Sequence, residues 1–462
     1  MQSIFAKTAL TPEGWKEDLL VSIAPEGRVC GLVANSRPQR DSISVAILLP
    51  AVANLHSHTF QRAMAGLAES RGPSSRDSFW TWREVMYRFL DILSPEDVEA
   101  IGAFAFMEML EAGFASVAEF HYLHHRPGGQ PYDDIGELCG RIVAAASITG
   151  IGLALLPVYY AQGGVDGRPL SGGQARFGND LDRFSVLVET AEDQLKAHFS
   201  DAALGIAPHS LRAVNPGDLV VLERLRPEAP FHMHIAEQVR EVEEVLAARG
   251  VRPMAWLLDN LAVDRRWCLI HSTHMAPEET KRLAATGAVA GLCPLTEANL
   301  GDGIFDGARF AAAGGSFGIG SDSNILISVA QELRQLEYSQ RLRDHARIVL
   351  ADADRSSGRM LYDKALAGGA QALGREAGGL AVGNWADLVA LDSDTWEGRV
   401  ACGNGGNSED YVLDCWIFAS GNQAVTDVWS AGRHVVQDGR HVHRDSIASR
   451  YRTCLASLTG RL

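Results

Sequence analysis

"VANLHSHTFQRAMAG", residues 52–66, sets His56 and His58 one residue apart directly after the apolar run 47–52. In a strand, residues i and i+2 project from the same face, so both rings can share one ligand, and a metal ion is the natural candidate. The pattern of an apolar run ending in polar or ionisable residues returns along the chain, at 47–58, 114–122, 151–160, 203–211, 231–237, 267–274, 288–297 and 316–324. Unbroken apolarity, as opposed to strict alternation, is what parallel strands covered on both faces show. Amphipathic stretches between them, such as 237–249 and 277–286, have the length of crossover helices. Eight strand–helix units predict an α/β protein built on a (β/α)8 TIM barrel, whose active site sits at the C-terminal ends of the strands. A doubly wound sheet would carry a glycine-rich nucleotide turn after its first strand, and none is present.

The flanks have a different texture, with short β-like pieces and turn residues in 1–46 and 378–440. Because chain termini often lie close together, the two ends are expected to pair into one small β-sandwich. The expected partition is therefore 1–48 as the N-terminal part of that sandwich, 49–377 as the barrel, and 378–462 as its C-terminal part plus a terminal helix. "CGNGGN" from Cys402 reads as a mobile loop, since no Lys-Ser/Thr follows to cradle a phosphate. A formal net charge of -15 argues against nucleic acid or an anionic membrane as principal partner. The seven cysteines are scattered and never spaced C-x-x-C, which points to a reducing compartment. With no signal-like N-terminus and no apolar run of bilayer length, a cytoplasmic protein is expected.

The run ends deliver His56 and His58, Glu119 and His121, His209, His232, His234 and Glu237, His271 and His274, and Asp322. A lone histidine on a buried strand is usually a structural residue; convergence of many on one barrel mouth reverses that weighting. One divalent cation held by two imidazoles of the first run, one of the fifth and the carboxylate of the eighth would keep a position open for water, as catalytic sites do. Water there ionises near neutral pH, and Glu237 is placed to take its proton and return it to a leaving nitrogen. The fourth run, "ALGIAPHSLRAV", has no lysine to be carboxylated as a bridge between two ions, so a single metal is expected.

"LHSH", "HMHIAE", "IHSTH" and "GIGSDSN" together resemble the amidohydrolase superfamily, in particular its mononuclear aminohydrolase branch. The resemblance spans essentially the whole chain. It implies His56, His58, His234 and Asp322 as metal ligands, with Asp322 also counted among the catalytic groups, Glu237 as proton shuttle, and His271 as the group that positions or polarises the attacking water. His232 and His274 are left to packing. Zn2+ is the implied ion and a homodimer the implied assembly. The chain has Pro50-Ala51 where the family usually has Pro-Gly.

Further stretches, "HTFQRAMAGL", "SFWTWREVMYRF", "EFHYLHH" and "APHSLRAV", resemble the members of that branch that act on N-formimino-L-glutamate in histidine breakdown. The implied reaction is hydrolytic release of ammonia to leave N-formyl-L-glutamate, and the implied substrate contacts are Gln61, Arg83, Tyr122, His209 and Arg212. Two guanidinium groups suit a substrate with two carboxylates, whereas a neutral heterocycle, the alternative within the branch, has little use for them. Arg83 lies in a segment of helical spacing that could form a lid; Trp80, Trp82, Met86 and Phe89 beside it read as core.

Overall fold

The computed structural model describes residues 2–69, 79–197, 200–392 and 410–461. The eight runs supply eight parallel strands in chain order: β1 (Val52–Ser57), β2 (Phe114–His121), β3 (Gly152–Tyr159), β4 (split into Ala203–Leu204 and Ala207–Pro208), β5 (Phe231–Ile235), β6 (Trp267–His271), β7 (Val289–Leu292) and β8 (Ser316–Ile319). Most of their residues are buried, since helices cover the outer face and side chains fill the interior. Hydrogen bonding divides them into two arcs, β1 to β4 and β5 to β8. The arcs meet at seams of one parallel bridge each, Ile206 with Phe231 and Ser57 with Asp322.

The second seam is reinforced by buried side chains. Asn54 Nδ2 donates to Ser321 Oγ at 2.7 Å, Ser321 Oγ donates to Asn324 Oδ1 at 2.6 Å, and Asn324 Nδ2 reaches Ser57 Oγ and the His58 carbonyl, each at 3.1 Å. Gly320 has no room for a side chain, because a Cβ there would lie 2.8 Å from the backbone of His56. Between them, these contacts bring the end of β1 against the end of β8.

Two runs end sooner than their apolarity suggests. In 203–211 the chain changes partner, Gly205 N bonding to β3 at Leu155 and Ile206 N to Pro230 ahead of β5, so only two two-residue strands form. In 288–297 the strand stops at Leu292, and Pro294 opens the helix Pro294–Leu300, a favoured position for a residue without an N–H. Glu297 therefore sits on a helix. The crossover helices Val239–Arg249 and Pro277–Thr286 form where their amphipathic pattern places them.

The chain ends pair into one eight-stranded mixed sheet, in the order Arg440–His441, Arg433–Gln437, Val425–Ser430, Leu388–Leu391, Ile43–Pro50, Gln2–Thr11, Gly14–Ile23, Val29–Val33. Its sandwich-like character follows from period-two alternation. Leu388 and Ala390 join Ile4, Val21 and Trp429 in a core of the sheet's own, while Val389 and Leu391 face the barrel core. Arg375 pins the sheet to the barrel, since its buried guanidinium contacts Asp387 at 2.6 Å and Asp201 at 2.9 Å. The C-terminal flank also holds a helix, Tyr411–Ala419, where β-like pieces are expected; its leucine, tryptophan and isoleucine find burial that helical spacing provides. The terminal helix Arg444–Thr459 packs on Pro95–Glu111, with Tyr451 stacked on Phe104 at 3.9 Å. "CGNGGN" lies outside the described residues. Among the described residues no helix is long and apolar enough to cross a membrane.

Candidate active site

His56, His58, His234 and Asp322 meet at the C-terminal ends of β1, β5 and β8, all buried, with one ligand atom from each within 4.8 Å of the others. His56 Nε2 faces His234 Nε2 at 3.1 Å, and Asp322 Oδ1 lies 3.5 Å from His56 Nε2 and 3.3 Å from His58 Nε2. His58 Nδ1 donates to the Phe120 carbonyl at 2.9 Å and His234 Nδ1 to the His209 carbonyl at 3.1 Å. Each of these rings therefore turns a bare Nε2 lone pair toward the carboxylate. Two bare Nε2 lone pairs and a carboxylate converging with the His56 ring fit a cation, and three imidazoles with one carboxylate are a catalytic donor set. Burial pushes His56 down to about 3 and lowers His58 and His234 too, which keeps the imidazoles neutral as ligands must be. For Asp322, burial alone would raise the carboxyl, but the hydrogen bond with His56 and the neighbouring imidazoles, His271 among them, hold it below its ordinary value.

Beside this group stand the candidate acid–base residues. Glu237 Oε1 lies 3.8 Å from His271 Nε2, and Glu237 Oε2 lies 3.7 Å from Arg212 Nη2. Burial pushes the Glu237 carboxyl up, against the pull of His271 and Arg212. Burial would lower His271, yet Glu237, the hydrogen bond to Glu297 and Asp322 together raise it to about 10. Glu297 Oε1 accepts hydrogen bonds from His271 Nδ1 at 3.2 Å and from Cys293 N at 2.9 Å, so the ring is held from behind. His271 and Asp322 both have left-handed backbones, φ 66° and 46°, as do Ala236, Ser272 and Asn324 nearby. Strain of this kind is tolerated where it aims functional side chains.

A cavity opens above these groups. Gln61, Arg83, Tyr122, His209 and Arg212 all line it, so every expected substrate contact is brought to one place. Arg83, on the helix Phe79–Leu90, donates to the hydroxyls of Tyr87 and Tyr160. Gln61 Nε2 donates to the Tyr122 hydroxyl at 2.9 Å, leaving Gln61 Oε1 without a partner, and Arg212 Nε is also unpartnered. Burial, then the Arg212 and Arg83 charges, drive His209 well below its ordinary value. Met86 and Phe89 are core, as read, and Trp82 packs against that core; Met86 and Trp82 also line the cavity.

Four run-end residues do not join the group. The Phe120 ring packs against His56, His58 and His234, so its neighbours Glu119 and His121 point to the other side of β2. Glu119 instead accepts from Thr59 N at 2.7 Å and Thr59 Oγ1 at 2.8 Å. His232, two residues below His234, bonds the Ala372 carbonyl at 2.7 Å, and His274 bonds that of Asp302 at 2.8 Å. Glu297, Tyr87, Tyr160, Thr296 and Ser323 are site residues that sequence reasoning passed over. Glu297 closes the seventh apolar run, and that position was its one visible signal.

Residues 47–435 match the family model described as "Amidohydrolase family". The chain belongs to the amidohydrolase family. Residues 1–42 match a second model, "Formimidoylglutamate deiminase HutF, N-terminal domain". The chain is 49% identical to a formimidoylglutamate deiminase of Pseudomonas aeruginosa, over 99% of this chain and 100% of that one. An 8-oxoguanine deaminase of the same organism is 27% identical over 80% of this chain and 81% of its own. Among solved structures, an amidohydrolase from Brucella melitensis superposes with a TM-score of 0.94 at 50% identity, covering 99% of this chain and 100% of that chain.

Proposed function

We infer that the protein hydrolyses N-formimino-L-glutamate to N-formyl-L-glutamate and ammonia, the deimination step of histidine degradation. It is a hydrolase acting on the C–N bond of a linear amidine. Two arginines lining one cavity beside the His-His-His-Asp group carry this reading, together with near-half identity over the full length to a deiminase of that substrate.

In the proposed mechanism His56, His58, His234 and Asp322 hold one divalent ion, Zn2+, which when bound makes water a nucleophile near neutral pH. Glu237 takes a proton from the attacking water and delivers it to the nitrogen that leaves as ammonia. His271, held by Glu297, positions the attacking water, whose oxygen bonds the formimino carbon while the C=N electron pair moves onto the nitrogen that Glu237 protonates. Arg83 and Arg212 pair with the two substrate carboxylates, and Gln61, Tyr122 and His209 orient the amidine between them and the ion. A homodimer is proposed from family resemblance, and a cytoplasmic setting from the free cysteines.

Ammonia release measured with N-formimino-L-glutamate beside guanine and adenosine tests the substrate. Turnover of the first alone is expected; efficient deamination of either heterocycle contradicts the reading. Glu237→Gln should keep its metal and lose turnover by at least about 100-fold, within the usual reach of a general acid–base group. Near-normal turnover would remove Glu237 from the mechanism.

A further inference from the structure

On the outer side of β2, away from the rim group, His121, His124 and Cys139 bring a ligand atom each within 4.8 Å of one another. They are 2%, 1% and 1% exposed, and they come from the end of β2, the segment after it and the helix Glu137–Thr149. His124 Nε2 donates to the Val158 carbonyl at 2.9 Å, which leaves a bare lone pair on Nδ1. His121 bonds the Leu123 backbone through its other ring nitrogen, so its Nε2 is bare as well, and neither it nor His124 Nδ1 has a hydrogen-bond partner. The Cys139 thiol has one hydrogen and can serve only one of the two nitrogens, so a buried acceptor stays unsatisfied whichever it chooses.

We propose that His121, His124 and Cys139 form a second cation site, for a soft monovalent ion of the Cu+ class. Two imidazoles and a thiolate are a soft donor set. One thiolate neutralises one positive charge, so the filled site leaves no net charge in a buried place. Zn2+ would leave one charge over and call for a fourth ligand. Asp134, the acidic group that acts on Cys139, is engaged elsewhere, with Oδ1 on Gly136 N at 2.8 Å and Oδ2 on Gln194 Nε2 at 3.3 Å. Binding forms the Cu–S bond as the S–H bond breaks, and the thiol proton leaves to solvent. The ion clamps the end of β2 to the helix behind it, and Tyr122, the next residue, faces the substrate cavity. A water donating to both nitrogens and accepting from the thiol is the rival occupant.

The test is an anaerobic titration of the full-length holoenzyme with Cu+ against a chromophoric chelator, with a parallel Zn2+ arm, in wild type and Cys139→Ser. The wild type should bind one more equivalent of Cu+ than the variant and release one proton on doing so. X-ray absorption of the wild-type copper protein should show one sulfur and two nitrogens, a readout that stands even if the variant fails to fold. Equal uptake by two folded proteins, a sulfur-only copper environment, or a second equivalent taken as Zn2+ and not as Cu+ would each overturn the proposal. So would diffraction from copper-treated crystals showing water between the three groups.

Discussion

Replacing Arg212 by Met removes a guanidinium that is 8% exposed, lines the cavity, and has a carboxylate only at 3.7 Å. A substrate carboxylate at about 4 Å, at an effective dielectric near 20, gains about 4 kcal/mol from such a charge. Its own desolvation offsets part of that, leaving about 2–4 kcal/mol, or a fall in kcat/KM of about 30- to 1,000-fold. Arg212 also pulls against the upward shift of Glu237, so lost activity alone does not identify the carboxylate as its target. The assay is therefore ammonia release from N-formimino-L-glutamate and from N-methylformamidine, an amidine with no carboxylate. The large loss is expected on the first, with a change within about threefold on the second, where the charge pair is never made. An equal loss on both substrates would show that Arg212 acts through Glu237, and a loss under about tenfold on the first would refute the charge-pair reasoning.

Gly320→Ala forces a methyl group against the His56 backbone, where the ideal Cβ position is 2.8 Å from its N and O. Displacing a ligand in this way should weaken metal affinity by about 10- to 100-fold, read by competition with a chelator, while circular dichroism stays unchanged. Burial pushes Glu119 up to about 7 from 4.5, so the native state holds a proton that the unfolded chain releases, and stability falls as pH rises between those values. Glu119→Gln removes that loss: the variant should match wild type below pH 4.5 and exceed it by up to about 3 kcal/mol above pH 7. Denaturant midpoints across pH measure this, and a gap independent of pH would exclude ionisation of Glu119 as its source.

The convergence of His56, His58, His234 and Asp322 was legible because these residues end apolar runs and project with strand periodicity. His56 and His58 share a face by spacing alone, and Asp322 closes the eighth run. Periodicity assigned less well where tertiary contacts intervene. His232 and His234 share a face of β5, and what separates them is depth in the barrel, with the Ala372 carbonyl of a distant helix claiming the lower ring. Glu119 and His121 read as rim residues until Phe120 is seen to occupy the inner side of β2. Glu297 reaches His271 only because Pro294 turns the chain into a helix, and the left-handed backbones at His271 and Asp322 leave no compositional trace. The pairing of the chain ends was readable from their texture, while the order of strands within that sheet depends on register.

The most direct test strips the protein of metal with a chelator and restores Zn2+ in measured fractions while ammonia release from N-formimino-L-glutamate is followed. Activity should be absent at the start and rise linearly to a plateau at one ion per chain, with no rise when Asp322 is Ala. Full turnover by the stripped protein, or a plateau reached without that ion, would contradict the account.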